Sequence, residues 1–153
     1  MLSFRNGLNL KELSVKSEAF QSNQKIPRKY TCDGKGGNPP LKINEVPPET
    51  KSLAVILEDP DAPSGRFTHW LVWNISSEGE IRENTVPGVQ GTNSSGRTSY
   101  AKPCPPSGTH RYIFKVYALN AELNLDEGAN RRELEQAMQN HVIAKGELTG
   151  LYR

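Results

Sequence analysis

The sequence predicts a single, mainly β domain, and three observations carry that prediction. The 153-residue chain holds thirteen glycines and eleven prolines, the vocabulary of a fold with many turns. Four segments are β-prone, and only one has helical periodicity. The length suits one hydrophobic core. No internal repeat, low-complexity block or composition shift divides 1–153, although 1–12 reads as a loose N-terminal extension.

In chain order, Leu53–Glu58 is a short apolar run stopped by Asp-Pro, the pattern of a strand buried on both faces. His69–Ile75 is rich in aromatic and β-branched residues and is followed by turn residues. Arg111–Leu119 alternates, with Tyr112, Phe114, Val116 and Ala118 on one face and Ile113, Lys115 and Tyr117 on the other. Arg131–Val142 reads as a helix with Asn130 as N-cap and Glu133 three residues on, a capping box. Leu134, Ala137, Met138, His141 and Val142 form its apolar face, where His141 is expected as a hydrogen-bonded core residue. A last strand is expected over Ala144–Tyr152. The connections Asp33–Pro40 and Gly88–Pro106 are crowded with turn residues, and the second is long enough to suggest a functional loop.

Charge and composition exclude several function classes. A formal net charge of +2, with no basic run longer than Arg131-Arg132, argues against nucleic acid. The longest apolar runs, such as Leu53–Leu57, are too short to span a membrane, and the polar start of the chain has no signal-peptide core. A cytoplasmic protein is therefore expected, and the glycosylation-type tripeptides at Asn74 and Asn93 carry no weight. Cys32 and Cys104 form no C-x-x-C pair, so no metal or cofactor is expected. Two reduced thiols are the cytosolic expectation, with one disulfide closing a long loop as the alternative.

Two constellations could carry chemistry. Asp59-Pro60-Asp61-Ala62-Pro63-Ser64-Gly65-Arg66-Phe67-Thr68-His69 leaves one strand and enters another, with two carboxylates on a proline-restricted backbone. A cis X-Pro bond would sit naturally in this turn. Pro105-Pro106-Ser107-Gly108-Thr109-His110-Arg111-Tyr112 supplies imidazole, guanidinium and phenol where a strand begins. Alternation puts His110 and Tyr112 on one face. If His69 and His110 open neighbouring strands, both imidazoles line one pocket mouth, and an anion there takes hydrogen bonds from imidazole N–H groups, the Tyr112 hydroxyl and loop amides. The aspartates then orient the imidazoles or pair with Arg111.

The blocks DPDAPSGRFTHWLVWN and PCPPSGTHRYIFKVYAL resemble the two signature regions of the phosphatidylethanolamine-binding protein family, in its bacterial and archaeal, Raf-kinase-inhibitor-like branch. IPRKYTCDGKGGNPPL, GTNSSGRTSY and NHVIAKGELTGLYR extend the likeness from about Phe20 to Arg153. The resemblance implies an antiparallel β-sandwich of two sheets with one or two short helices. It also implies a pocket at one end for phosphate, acetate or a phospholipid phosphoryl head. By motif position Asp59, Pro60, Asp61, Pro63, His69, Pro106, Gly108, His110 and Tyr112 line or brace that pocket, and Phe67 keeps an aromatic rim. Ile43 stands where relatives often have tryptophan. Lys102 stands where glycine is usual, and is expected to point to solvent. The family's animal members add a C-terminal helix that gates the pocket; this sequence stops soon after Tyr152, so a more open pocket is expected, and this departure weighs against carrying over kinase regulation.

The leading expectation is thus a non-enzymatic module binding a small anionic or phosphorylated ligand. The alternative is an inhibitor of a protein kinase or serine protease. A hydrolase using Asp59, Asp61, His69 and His110 with Ser64, Ser94, Ser95 or Ser107 is disfavoured, because no serine lies in a G-x-S-x-G elbow. The oligomeric state has no residue-level signal.

Overall fold

A computed structural model describes residues 10–153, so most of the expected N-terminal extension lies outside the described residues. It contains a seven-stranded sheet, a three-stranded sheet, one α-helix and a 3-10 turn at Arg28–Tyr30. The strands are β1 (Lys11–Glu12), β2 (Ser14–Lys16), β3 (Gln24–Lys25), β4 (Leu41–Asn44), β5 (Ser52–Asp59), β6 (Phe67–Ile75), β7 (Glu80–Ile81), β8 (Val89–Gln90), β9 (His110–Leu119) and β10 (Val142–Tyr152); α1 is Arg131–Met138. The large sheet runs β1-β10-β9-β5-β6-β8, with β3 also on β10, and the small one β2-β4-β7. Lys11 and Glu12 therefore belong to the sheet and not to a loose extension. The sheet is not wholly antiparallel, because β1 and β3 each pair with β10 in parallel.

β5 is buried at every position, as its apolar run predicts. Its alternate residues feed two apolar clusters, one on each face of the large sheet. Leu53, Val55 and Leu57 join Trp70, Tyr112, Phe114 and Val116, together with Val15, Leu41, Ile43 and Ile81 from the small sheet. Ala54 and Ile56 join Leu71, Trp73 and Tyr117, together with Leu134 and Met138 from α1. Each fully buried valine, leucine, isoleucine, phenylalanine or methionine among them contributes about 1.5–3 kcal/mol. Ile43, where relatives often place tryptophan, is a core residue of the small sheet.

The capping box of α1 is present in full: Glu133 N–H donates to the Asn130 side chain and Asn130 N–H to Glu133. The helix ends at Met138, earlier than the periodicity predicts, because the chain reverses at Asn140 with φ +68°. Val142 reaches the same cluster as Leu134 and Met138 from β10. His141 is half-buried in the turn and hydrogen-bonds Asn120 Oδ1 (2.9 Å), rather than sitting on a helix face.

Cys32 and Cys104 are joined in a disulfide across 72 residues, which corrects the expectation of reduced thiols. Cys32 N–H donates to the Pro103 carbonyl, and Tyr100 Oη–H to the Tyr30 carbonyl, so the two loops lie side by side and hold the sulfurs within reach. Lys102 is exposed, as expected, and from there donates to the Gly34 carbonyl (2.8 Å), a further tie between the same loops. No cis peptide bond occurs among the described residues; the Asp59–Pro63 turn is made from trans bonds.

Candidate functional site

The two constellations meet at one end of the large sheet. His69 and His110 do not open neighbouring strands, however; β5 runs between β6 and β9, and Asp59 at its end sits between the two imidazoles. On β6, Leu57 pairs with Trp70 and Glu58 with Thr68, which leaves His69 as the extra residue of a β-bulge. The bulge lets His69 turn to the same side as Trp70, where its ring meets Tyr112 edge-on at 5.3 Å and Phe67 at 4.8 Å. His110 and Tyr112, two apart on β9, stack at 6.5 Å.

Both imidazoles and both aspartates are held by a second group. His110 Nδ1 lies 2.7 Å from Asp59 Oδ2, and the other Asp59 oxygen accepts from Asp61 N–H (2.7 Å). His69 Nδ1 donates to the Ala101 carbonyl (2.8 Å), while Ala101 N–H donates back to the His69 carbonyl (2.9 Å). Ser94 brackets Thr68 in the same way, its hydroxyl accepting from Thr68 N–H and its own N–H reaching the Thr68 carbonyl. The 88–106 connection is therefore laid along the bulge. It is folded about Asn93, whose side chain accepts from Ser95 and Arg97 amides and donates to the Ser99 carbonyl. Asp61 takes a fork from Arg111 (2.8 and 3.0 Å) plus the Arg111 amide (2.9 Å). Those bonds hold its carboxyl down at about 2.

Asp59, His69, His110 and Tyr112 are all more than nine-tenths buried. Burial lowers the pKa of His69 and raises that of Tyr112. Yet His69 Nε2, His110 Nε2 and the Tyr112 hydroxyl make no hydrogen bond among the described residues, and none is sealed from solvent as an orphaned atom. Three polar atoms on three rings are thus left open together.

Of the other expected site residues, Phe67 is half-buried at the start of β6 and Pro60 is half-buried in the turn just after β5. Pro63, Pro106 and Gly108 lie exposed on the flanking loops, where Gly108 supplies a φ of +70° just before β9. Two concavities, of about 680 and about 510 Å3, open elsewhere, and none of the expected site residues lines them. No cluster of metal-ligating side chains occurs among the described residues. Sequence reasoning missed the Ala101 carbonyl, which has no side-chain signature. It also missed the clamp at the chain's end, where the Tyr152 hydroxyl and Arg153 both donate to Asp33 beside the disulfide.

The chain is similar to known proteins over most of its length. The family model described as phosphatidylethanolamine-binding protein matches residues 16–153. A UPF0098 protein of Pyrococcus horikoshii is 50% identical over 153 residues, covering 92% of this chain and 77% of that one. A UPF0098 protein of Methanothermobacter thermautotrophicus is 46% identical over 149 residues, covering 92% and 99%. Among solved structures, CT736 of Chlamydia trachomatis, described as a phosphatidylethanolamine-binding protein homologue, superposes with a TM-score of 0.89 at 41% identity, covering 94% and 98%. YbcL of E. coli, described as a new member of the mammalian PEBP family, gives 0.84 at 28% identity, covering 93% and 98%.

Proposed function

The chain belongs to the phosphatidylethanolamine-binding protein family, and we propose that it is a binding module for a small phosphoryl or other oxyanionic group. The group is received at the end of the large sheet by His69, His110 and Tyr112. The observation that carries this reading is that three neighbouring buried rings each keep one polar atom without a hydrogen bond among the described residues. A fold that satisfies nearly every buried polar group leaves three together where an outside partner completes them. Asp59 and the Ala101 carbonyl orient the imidazoles, Asp61 and Arg111 pin the turn, and Phe67 forms the apolar rim. The opening between side chains this deeply buried suits a few atoms, such as one phosphoryl group, better than a large ligand. The two sheets act as the layers of a sandwich around the shared cluster of Val15, Ile43, Val55 and Phe114.

Inhibition of a kinase or protease, and hydrolysis, rest on resemblance and residue types alone. A cytoplasmic location belongs with this proposal, and no helix among the described residues is long and apolar enough to cross a membrane. The Cys32–Cys104 bond sets a condition on that location, because a reducing cytoplasm keeps most thiols unpaired outside hyperthermophiles.

The test is to follow the three histidine ring signals by NMR during a titration with inorganic phosphate. His69 and His110 move together and saturably while His141 stays still, and His69→Ala abolishes the response. Signals that stay put at millimolar phosphate overturn the reading.

A further inference from the structure

We propose that this site binds its oxyanion together with a proton, and so selects oxyanions bearing one P–OH group over oxyanions that carry none. The inference rests on the binding reading above and follows from which ring nitrogen each neighbour occupies. A backbone carbonyl only accepts, so the His69 Nδ1 facing Ala101 O must carry hydrogen. Asp59 already accepts from Asp61 N–H, and a carboxyl ordinarily gives up its proton well before an imidazolium does. The His110 Nδ1 facing Asp59 Oδ2 is therefore also N–H. In its neutral form each ring then presents a bare Nε2, which accepts and does not donate. The Nδ1–H groups are already used, so an imidazole N–H reaches the anion only where a ring takes up a proton at Nε2.

A fully deprotonated anion meeting two bare nitrogens is repelled by lone pairs, so binding requires a proton on one of them. Burial disfavours the charged form of His69. His110 faces the Asp59 carboxylate across 2.7 Å, and its imidazolium is partnered as soon as it forms. The proton goes to His110. The complete set is then two donors, His110 Nε2–H and the Tyr112 hydroxyl, with one acceptor, His69 Nε2. A phosphate monoester monoanion complements that set, with two proton-free oxygens and one hydroxyl. A phosphodiester, as in a phospholipid head, has no P–OH to offer His69. The charged and titratable groups bearing on the pair are Asp59 on β5, Tyr112 on β9, Asp61 with Arg111 at the turn, and Arg153 after β10. Asp61 pairs with Arg111 and Arg153 with Asp33, so a protonated His110 is what offsets the Asp59 carboxylate beside the anion.

The isosteric pair methylphosphonate and methanesulfonate isolates the proton, because near neutral pH both occur as monoanions and only the first carries P–OH. Dimethyl phosphate serves as the diester probe. Titrations of the full chain near neutral pH are expected to show methylphosphonate binding at least about tenfold more tightly than either of the others, since a buried acceptor left unpaired costs about that factor. Calorimetry in buffers of different ionisation enthalpy is expected to register proton uptake on binding. His69→Gln, whose amide can turn an N–H to the ligand, narrows the difference. Equal affinity for the isosteric pair, or binding without proton uptake, overturns the inference and leaves the binding reading intact. Failure of all three probes, and of phosphate, to bind overturns the binding reading beneath it.

Discussion

Glu58 and Asp59 are consecutive, equally buried carboxylates at the end of one strand, and they face opposite sides of the sheet with opposite consequences. Glu58 faces α1, where Arg131 donates from 2.7 Å, Lys115 lies 3.3 Å away and Arg131 also bonds the Thr68 hydroxyl. Burial alone raises the Glu58 carboxyl, but the Arg131 bond and charge, with Lys115, outweigh it and keep its pKa below the usual range. That network is closed: it joins the strand to the helix. Asp59 faces the small-sheet side and holds His110, whose other nitrogen stays open. Buried charge therefore does not by itself mark a site in this protein. The open atom at the far end of the chain of bonds does.

The largest expected effect breaks the closed side. Arg131→Ala leaves Glu58 buried beside Lys115 alone, and urea denaturation is expected to show a loss of about 3–5 kcal/mol. Phosphate binding by the surviving folded protein stays unchanged. On the open side the balance reverses. Tyr112→Phe removes a hydroxyl that bonds none of the described residues, so stability shifts by no more than about 0.5 kcal/mol, while phosphate affinity falls several-fold in the NMR titration. A stability loss as large as that of Arg131→Ala erases the distinction between the two sides.

The smallest effect belongs to the third carboxylate, Asp61, whose pairing with Arg111 is largely exposed. Its folded pKa, about 2, lies below the ordinary carboxyl value of about 4. The stabilisation is therefore complete above pH of about 4 and disappears as pH falls towards 2. Wild type and Asp61→Asn are expected to differ slightly in urea midpoint at pH 5 and to converge near pH 2. A gap that widens on acidification contradicts the assignment.

The strands that build the site were legible because their residues alternate or run apolar over long stretches, and the prolines and glycines bounded them cleanly. The same periodicity carried the helix too far. Val142 is as apolar as a helical residue there needs to be, and nothing in the sequence announces the left-handed Asn140 that turns the chain into β10. The site residues were legible as types, but their arrangement was not. No sequence pattern says that β5 enters between β6 and β9, and the bulge at His69 is a register fact. The Ala101 carbonyl decides which nitrogen of His69 is free, yet any residue at that position offers the same carbonyl. The disulfide was equally silent, because its partners are 72 residues apart and only the fold makes them neighbours.

The central claim is that the site's two imidazoles keep their Nδ1–H groups inward and leave Nε2 open. Imidazole 15N spectra of the ligand-free protein, recorded well above the titration range of histidine, read this directly. The account predicts a protonated Nδ1 and a bare Nε2 on both His69 and His110. A protonated Nε2 on either ring contradicts it.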